Sequence, residues 1–114
     1  MNALSIPGVL FRSAYFTPKF SKHADKQCAG VQLHITDNVH ADTFAAGLYL
    51  LEAIREMYPD DFAWSVPKEG PYHIDFILGT DAYRLGHIDA RTLIESNRDK
   101  ILAWQEETRA YRLY

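Results

Sequence analysis

The stretch Cys28-Ala29-Gly30-Val31-Gln32-Leu33-His34-Ile35-Thr36-Asp37 alternates in strict period two. On an extended chain, Val31, Leu33 and Ile35 fall on one side and Gln32, His34 and Thr36 on the other. The apolar side calls for a core. The polar side carries an amide, an imidazole and a hydroxyl in a row, groups suited to a polar ligand. A strand is predicted over 30–37, and its neighbours decide the fold. Upstream, residues 9–16 are rich in aromatic and branched side chains and read as a second strand. Val9, Phe11, Ser13 and Tyr15 share one of its faces; Leu10, Arg12, Ala14 and Phe16 share the other. Between the strands, residues 17–29 form a polar loop holding Pro18, Ser21, Lys22, His23 and Lys26. Loops of that length inside compact domains are often functional.

Downstream the pattern turns helical. Asp42 or Thr43 caps a long helix over 44–58, ended by Pro59. Phe44, Gly47, Leu48, Leu51, Ile54 and Tyr58 form its predicted buried stripe, widened by Tyr49, Leu50, Ala53 and Met57. Glu52, Arg55 and Glu56 are left for water. Residues 62–66 are a short strand candidate. A short helix is predicted over 74–78 and closed by Gly79. Thr80 and Asp81 cap another over 82–85, ended by Gly86. Asp89 caps a helix over 90–95, and Asn97 a last one over 98–112, with Ile101, Trp104, Thr108 and Tyr111 facing inward. Strands first and helices after argue for an α+β domain: a small mixed or largely antiparallel sheet, with a long central helix and C-terminal helices packed on it. Ahead of residues 9–114, Asn2-Ala3-Leu4 reads as the last turn of a helix stopped by Ile6-Pro7-Gly8. Residues 1–8 are therefore expected to be the remnant of an interdomain helix or linker.

Composition narrows the function. The chain has 114 residues, 47% hydrophobic and 24% charged, with a net charge of −3. That is one domain with enough apolar material for one core. Its basic residues are scattered singly, so no nucleic-acid footprint is present. The single cysteine, Cys28, excludes an intramolecular disulfide and a multi-cysteine zinc site. It reads as a small buried apolar residue; a catalytic thiol would require a histidine nearby in space. The N-terminal residues lack the basic and apolar regions of a signal peptide. No apolar run is long enough to span a bilayer. Glycine-rich phosphate loops and the Gly-x-Ser-x-Gly elbow are both missing.

Three weaker constellations remain. His34, Asp37, His73 and Asp75 carry zinc-ligand chemistry but at unspecific spacing, and no metal or other cofactor is assigned. Glycosidic chemistry needs two carboxyl groups roughly 5–9 Å apart; Asp37, Asp42, Asp75 and Asp81 each have a simpler role as strand terminator, cap or turn former. Among Phe11, Tyr15, Phe16, Phe20, Trp64, Tyr72, Tyr83 and Trp104, most are expected in the core. Tyr15, Phe20 and Tyr72 lie beside loops and are the better sugar-stacking candidates.

Several segments together carry a family resemblance. They are Pro7-Gly8-Val9-x-Phe11-Arg12, Tyr15-Phe16-Thr17-Pro18-x-Phe20-Ser21-Lys22, and Cys28 through Asp37. Gly47-Leu48, Tyr58-Pro59 with Phe62 and Trp64, and Leu78-Gly79-Thr80-Asp81 follow in the same order. The chain resembles the C-terminal domain of the NamZ-type exo-β-N-acetylmuramidases. It departs at its end, where Tyr111-Arg112-Leu113-Tyr114 is shorter than the family pattern, and His73 has no family counterpart. The resemblance implies a bacterial parent of a family often exported to the cell envelope or secreted. It implies a preceding Rossmann-like domain that carries the catalytic carboxylate, with a cleft between the two domains. It also implies release of N-acetylmuramic acid from peptidoglycan fragments. Gln32, His34, Thr36 and Asp37 would then face the sugar. Ser21, Lys22 and His23 would meet its lactyl carboxylate or another anion. An exposed docking face would favour self-association. A self-contained small hydrolase using His34, Asp37, His73 and Asp75, and a purely structural module, are the rival readings.

Overall fold

The computed structural model describes residues 2–113. The chain divides into two compact units, Met1–Leu50 and Leu51–Tyr114.

The first unit is built on a hairpin. Strand β1 is Val9–Phe16 and strand β2 is Cys28–Ile35. They pair antiparallel, with Val9 opposite Ile35 and Phe16 opposite Cys28. The first strand has the bounds its sequence predicts. The second starts and stops two residues early, because Asp37 is drawn into a turn. Its Oδ1 accepts the N–H groups of Val39 and His40. The N–H groups of Thr36 and Asp37 donate back to the Gly8 carbonyl. Ahead of β1, residues Asn2–Leu4 form one 3-10 turn. The Asn2 side chain brackets the Phe11 backbone, donating to its carbonyl at 2.8 Å and accepting from its N–H at 2.9 Å. A side-chain amide thus supplies the two hydrogen bonds that a third strand would make.

The sheet has two strands, smaller than the sheet expected, because residues 62–66 join no ladder. This leaves the supposed core side uncovered. Val31, Leu33 and Ile35 remain 51%, 39% and 46% exposed, and of that face only Phe11 is buried. Cys28, read as buried, is half-buried.

Helix α1, Thr43–Met57, starts at Asp42, whose Oδ1 accepts the Ala45 N–H at 2.9 Å. Such a cap satisfies one of the free N–H groups of the first turn. The helix stops before Pro59, whose ring disfavours helical backbone in the residue before it. Its buried residues are Ala45, Ala46 and Leu48, whereas Phe44, Ile54 and Tyr58 of the predicted stripe are exposed. Helical periodicity fixes which side chains share a face, not which face is covered; the buried residues are mostly alanine, whose small side chain permits close approach. The buried residues of the first unit are Ile6, Phe11, Ala45, Ala46 and Leu48.

The second unit takes the end of α1 and two further helices. Helix α2, His73–Leu78, ends at Gly79 in the left-handed conformation (φ 69°). The predicted helix over 82–85 is a turn, closed by Leu85 N–H to Asp81 O and His87 N–H to Ala82 O. Helix α3 runs unbroken over Ala90–Thr108, followed by a 3-10 turn, Arg109–Tyr111. Asp89 caps α3 through the Thr92 N–H at 2.7 Å. Asn97 lies inside α3 and starts nothing, so the two expected helices are one. Tyr83, Ala90, Leu93 and Ile94 are the buried residues here. All but the first lie near the start of α3, so Ile101, Trp104 and Tyr111 are exposed instead of facing inward. Glu52 and Arg55, expected in water, are half-buried; Glu52 accepts the Ala90 N–H at 3.2 Å.

Candidate functional site

The polar side of β2 has β1 residues directly beside it. The register sets Leu10 opposite His34 and Arg12 opposite Gln32. Arg12 Nη2 donates to Gln32 Oε1 at 3.3 Å. Both residues line an open groove of about 700 Å³, together with Tyr15, Phe16 and Val31. No carboxylate lines it. Phe16 lies over Gly30: a Cβ there would stand 3.1 Å from the Phe16 ring. Glycine thus leaves room for the ring to approach the strand backbone.

The other expected site residues distribute along the hairpin. His34 is half-buried, and its Nε2 is shielded from solvent without a hydrogen-bond partner. That nitrogen does not open onto the groove. Thr36 and Asp37 are exposed just past the end of β2. Both Asp37 oxygens are engaged, Oδ2 with His40 Nδ1 at 2.7 Å and Oδ1 with two backbone N–H groups. The His40 contact first, then those N–H groups, hold the Asp37 carboxyl below its usual range.

Ser21, Lys22 and His23 are exposed on the loop at the opposite end of the hairpin. Ser21, His23 and Asp25 all adopt positive φ, at 67°, 58° and 59°. This conformation crowds the Cβ of an L-residue. Lys19 pairs with Asp25 at 3.4 Å across the loop. Eight strand steps at roughly 3.3 Å separate Cys28 from Thr36, about 26 Å in all. A single sugar ring therefore reaches one end or the middle of this row. Gln32 lies in the groove, while the loop residues do not line it.

The second unit holds two polar clusters of its own. Arg55 lies 5.9 Å from the Phe62 ring centre and 5.4 Å from those of Trp64 and Tyr83. A guanidinium over aromatic faces is attracted by their quadrupoles. Burial raises the Tyr83 pKa; the hydroxyl makes no well-formed hydrogen bond, but Arg55 approaches it and opposes the shift. In the other cluster, Arg84 grips Asp75 with Nε and Nη2, both at 2.9 Å to Oδ2, and stacks 4.1 Å over Tyr72. Asp75 and Tyr72, named above as carboxylate and stacking candidates, are thus occupied within their own unit. His73 is exposed. Among the described residues, no three His, Cys, Asp or Glu side chains gather as a metal site.

Sequence reasoning passed over Arg12, Arg55 and Arg84. The signal for Arg12 was available, since it shares its strand face with Leu10, Ala14 and Phe16. Nothing local announces the other two, whose partners are set by tertiary packing.

Comparison with known proteins adds the following. The family described as "Exo-beta-N-acetylmuramidase NamZ, C-terminal" matches residues 1–114. The peptidoglycan β-N-acetylmuramidase NamZ of Bacillus subtilis (strain 168) is 47% identical over 62 residues, covering 54% of this chain and 15% of that protein. The crystal structure of a DUF1343 family protein from Bacteroides fragilis NCTC 9343 superposes with a TM-score of 0.76 at 26% identity, over 99% of this chain and 30% of that one. The chain thus matches less than a third of the length of either relative. No helix among the described residues is long and apolar enough to cross a membrane.

Proposed function

Because the chain belongs to the family of NamZ exo-β-N-acetylmuramidase C-terminal domains, we propose that it completes the substrate cleft of a peptidoglycan exo-β-N-acetylmuramidase. Its partner is a preceding Rossmann-like domain that carries the catalytic carboxylate. Residues 1–8 lead in from that domain, and residues 9–114 form the accessory domain. The ligand is a peptidoglycan fragment ending in N-acetylmuramic acid.

One observation carries this reading: the hairpin presents amide, guanidinium and aromatic groups around an open groove that no carboxylate lines. Amides and guanidinium groups hydrogen-bond sugar hydroxyl and acetamido groups, and aromatic faces pack against sugar rings. Gln32 meets the sugar in the groove, and His34 and Thr36 continue the polar row toward the end of β2 for the next ring of an extended fragment. Asp37 fixes the turn that ends it. Ser21, Lys22 and His23 stand at the far end, within reach of an extended fragment. Hydrolysis of a glycoside takes two carboxyl groups flanking the bond. Of the carboxylate candidates, Asp37, Asp42 and Asp75 are engaged in a turn, a cap and an ion pair, which supports placing the chemistry on the partner domain. The exposed apolar hairpin face, with Val31, Leu33 and Ile35, serves as the docking surface.

The test is direct. The isolated chain is mixed with a chromogenic N-acetylmuramic acid glycoside, and its amide spectrum is recorded with a muramic acid-terminated disaccharide. The expected result is no colour release and shifted signals at Gln32, His34 and Thr36. Turnover by the chain alone would overturn the division of labour. An unperturbed spectrum would overturn the cleft role.

A further inference from the structure

We propose that Arg12 is the carboxylate-recognising residue of this domain, its guanidinium taking the lactyl carboxylate of a muramic acid residue lying in the hairpin groove. This rests on the cleft reading above and moves the anion site from the loop at Lys22 to the middle of β1.

Arg12 is a groove cation with no acid beside it. Among the described residues its side chain's one hydrogen bond is to Gln32 Oε1. Four other cations are engaged differently: Lys19 with Asp25, Arg84 with Asp75, Arg109 with Glu106, and Arg55 over aromatic rings. A guanidinium has five N–H donors in a planar fork that matches a carboxylate's two oxygens. One of these donors is spent on Gln32, which leaves four for a ligand. The contact also directs the Gln32 carbonyl toward Arg12, leaving the amide N–H groups free to donate elsewhere. Arg12 is exposed, so a carboxylate can reach it without displacing protein.

The support is rigid. Arg12 sits in the ladder, opposite Gln32, and strands hold a side chain more precisely than loops do. Lys22 lies on a loop with left-handed residues on both sides, and an ammonium is a point charge without a fork. Phe16 shares the sheet face of Arg12, lines the same groove and supplies an apolar surface for the sugar ring. N-acetylglucosamine has the same ring and acetamido group but lacks the lactyl ether. The groove therefore distinguishes the two sugars through Arg12 alone.

The experiment titrates the chain with N-acetylmuramic acid, its methyl ester and N-acetylglucosamine, following amide shifts. The wild-type chain is expected to favour N-acetylmuramic acid about tenfold, the scale of one charge-assisted pair at an exposed site. The ester should bind like N-acetylglucosamine. Arg12→Gln should abolish the preference while leaving N-acetylglucosamine binding in place, and Arg12→Lys should keep only part of it. Equal binding of acid and ester by the wild type would overturn the proposal without using any variant. So would removal of the preference by Lys22→Gln but not by Arg12→Gln. In both cases the cleft reading survives. Failure of all three ligands to bind would instead overturn the cleft reading, and this proposal with it.

Discussion

A methyl group at position 8 has no space to occupy. Gly8 holds φ at +66°, and a Cβ there would stand 2.6 Å from the Asp37 carbonyl and 2.7 Å from Ala41 Cα. These atoms are backbone and cannot swing aside. Gly8→Ala is expected to cost at least about 2 kcal/mol, combining conformational strain with a clash. Gly70 is the control: its φ is +82°, with nothing within 4 Å of the added carbon. Gly70→Ala should cost only about 1 kcal/mol. Urea denaturation of both variants checks the difference, and equal losses would refute the close-approach argument. Asp75 and Arg84 make a second residue-scale case, with side chains only 12% and 18% exposed. Asp75→Asn strips the charge partner from the Arg84 guanidinium and should lower stability. The same denaturation series measures it. Residues with local roles were legible in the sequence: Asp42 and Asp89 cap the helices they precede because a cap needs only its own first turn. Asp75 was not, because its partner lies nine positions away and is brought in by folding.

Helix α3 shows how a local signal can mislead at the scale of an element. Asn97 has the right chemistry for a cap, and the segment after it has helical spacing. The helix nonetheless runs through, because Asn in a helix interior costs only a fraction of a kcal/mol. Asn97→Ala should therefore raise stability by about 0.5 kcal/mol. A true cap would lose about 1 kcal/mol, so the sign of the change decides the matter. The turn after β2 gives a pH prediction. Asp37 is held below its ordinary value of 3.8 by His40 and by the Val39 and His40 N–H groups. A carboxyl with a lowered folded pKa stabilises the fold above its unfolded value. That contribution is lost as pH falls through the folded value. The 37–40 turn should thus loosen as the pH drops below 3.8, seen as faster exchange of the Val39 N–H. Asp37→Asn keeps an oxygen acceptor and should remove that pH response. The strands were legible because alternation belongs to the chain itself. The 62–66 segment was misread because short apolar runs fit a strand without requiring a partner.

For the whole molecule, the α+β class followed from the order of elements, but the extent of the core did not. Alternation says which side chains share a face; it does not say what covers the face. Here Val31, Leu33 and Ile35 stay exposed, joined by Tyr15 on the same side of β1. The candidate site shared this limit. Gln32 and His34 were legible as a polar row, whereas the groove and its cation depend on the register that sets Arg12 beside Gln32. The uncovered face has a physical consequence. Asn2 bridges the outer edge of β1 at Phe11, but β2 is paired on one side only. A strand with unpaired backbone groups next to an exposed apolar face is a template for another chain. The isolated chain is expected to self-associate as its concentration rises. Burial of apolar area drives this association, so added salt should not weaken it. Leu33→Lys places a charge in the middle of that face, the device natural edge strands use against pairing, and should return the chain to a monomer without unfolding it. Sedimentation velocity over a concentration series reads both outcomes. A wild-type chain that stays monomeric throughout would mean that the hairpin face is tolerated in water and is not a docking surface.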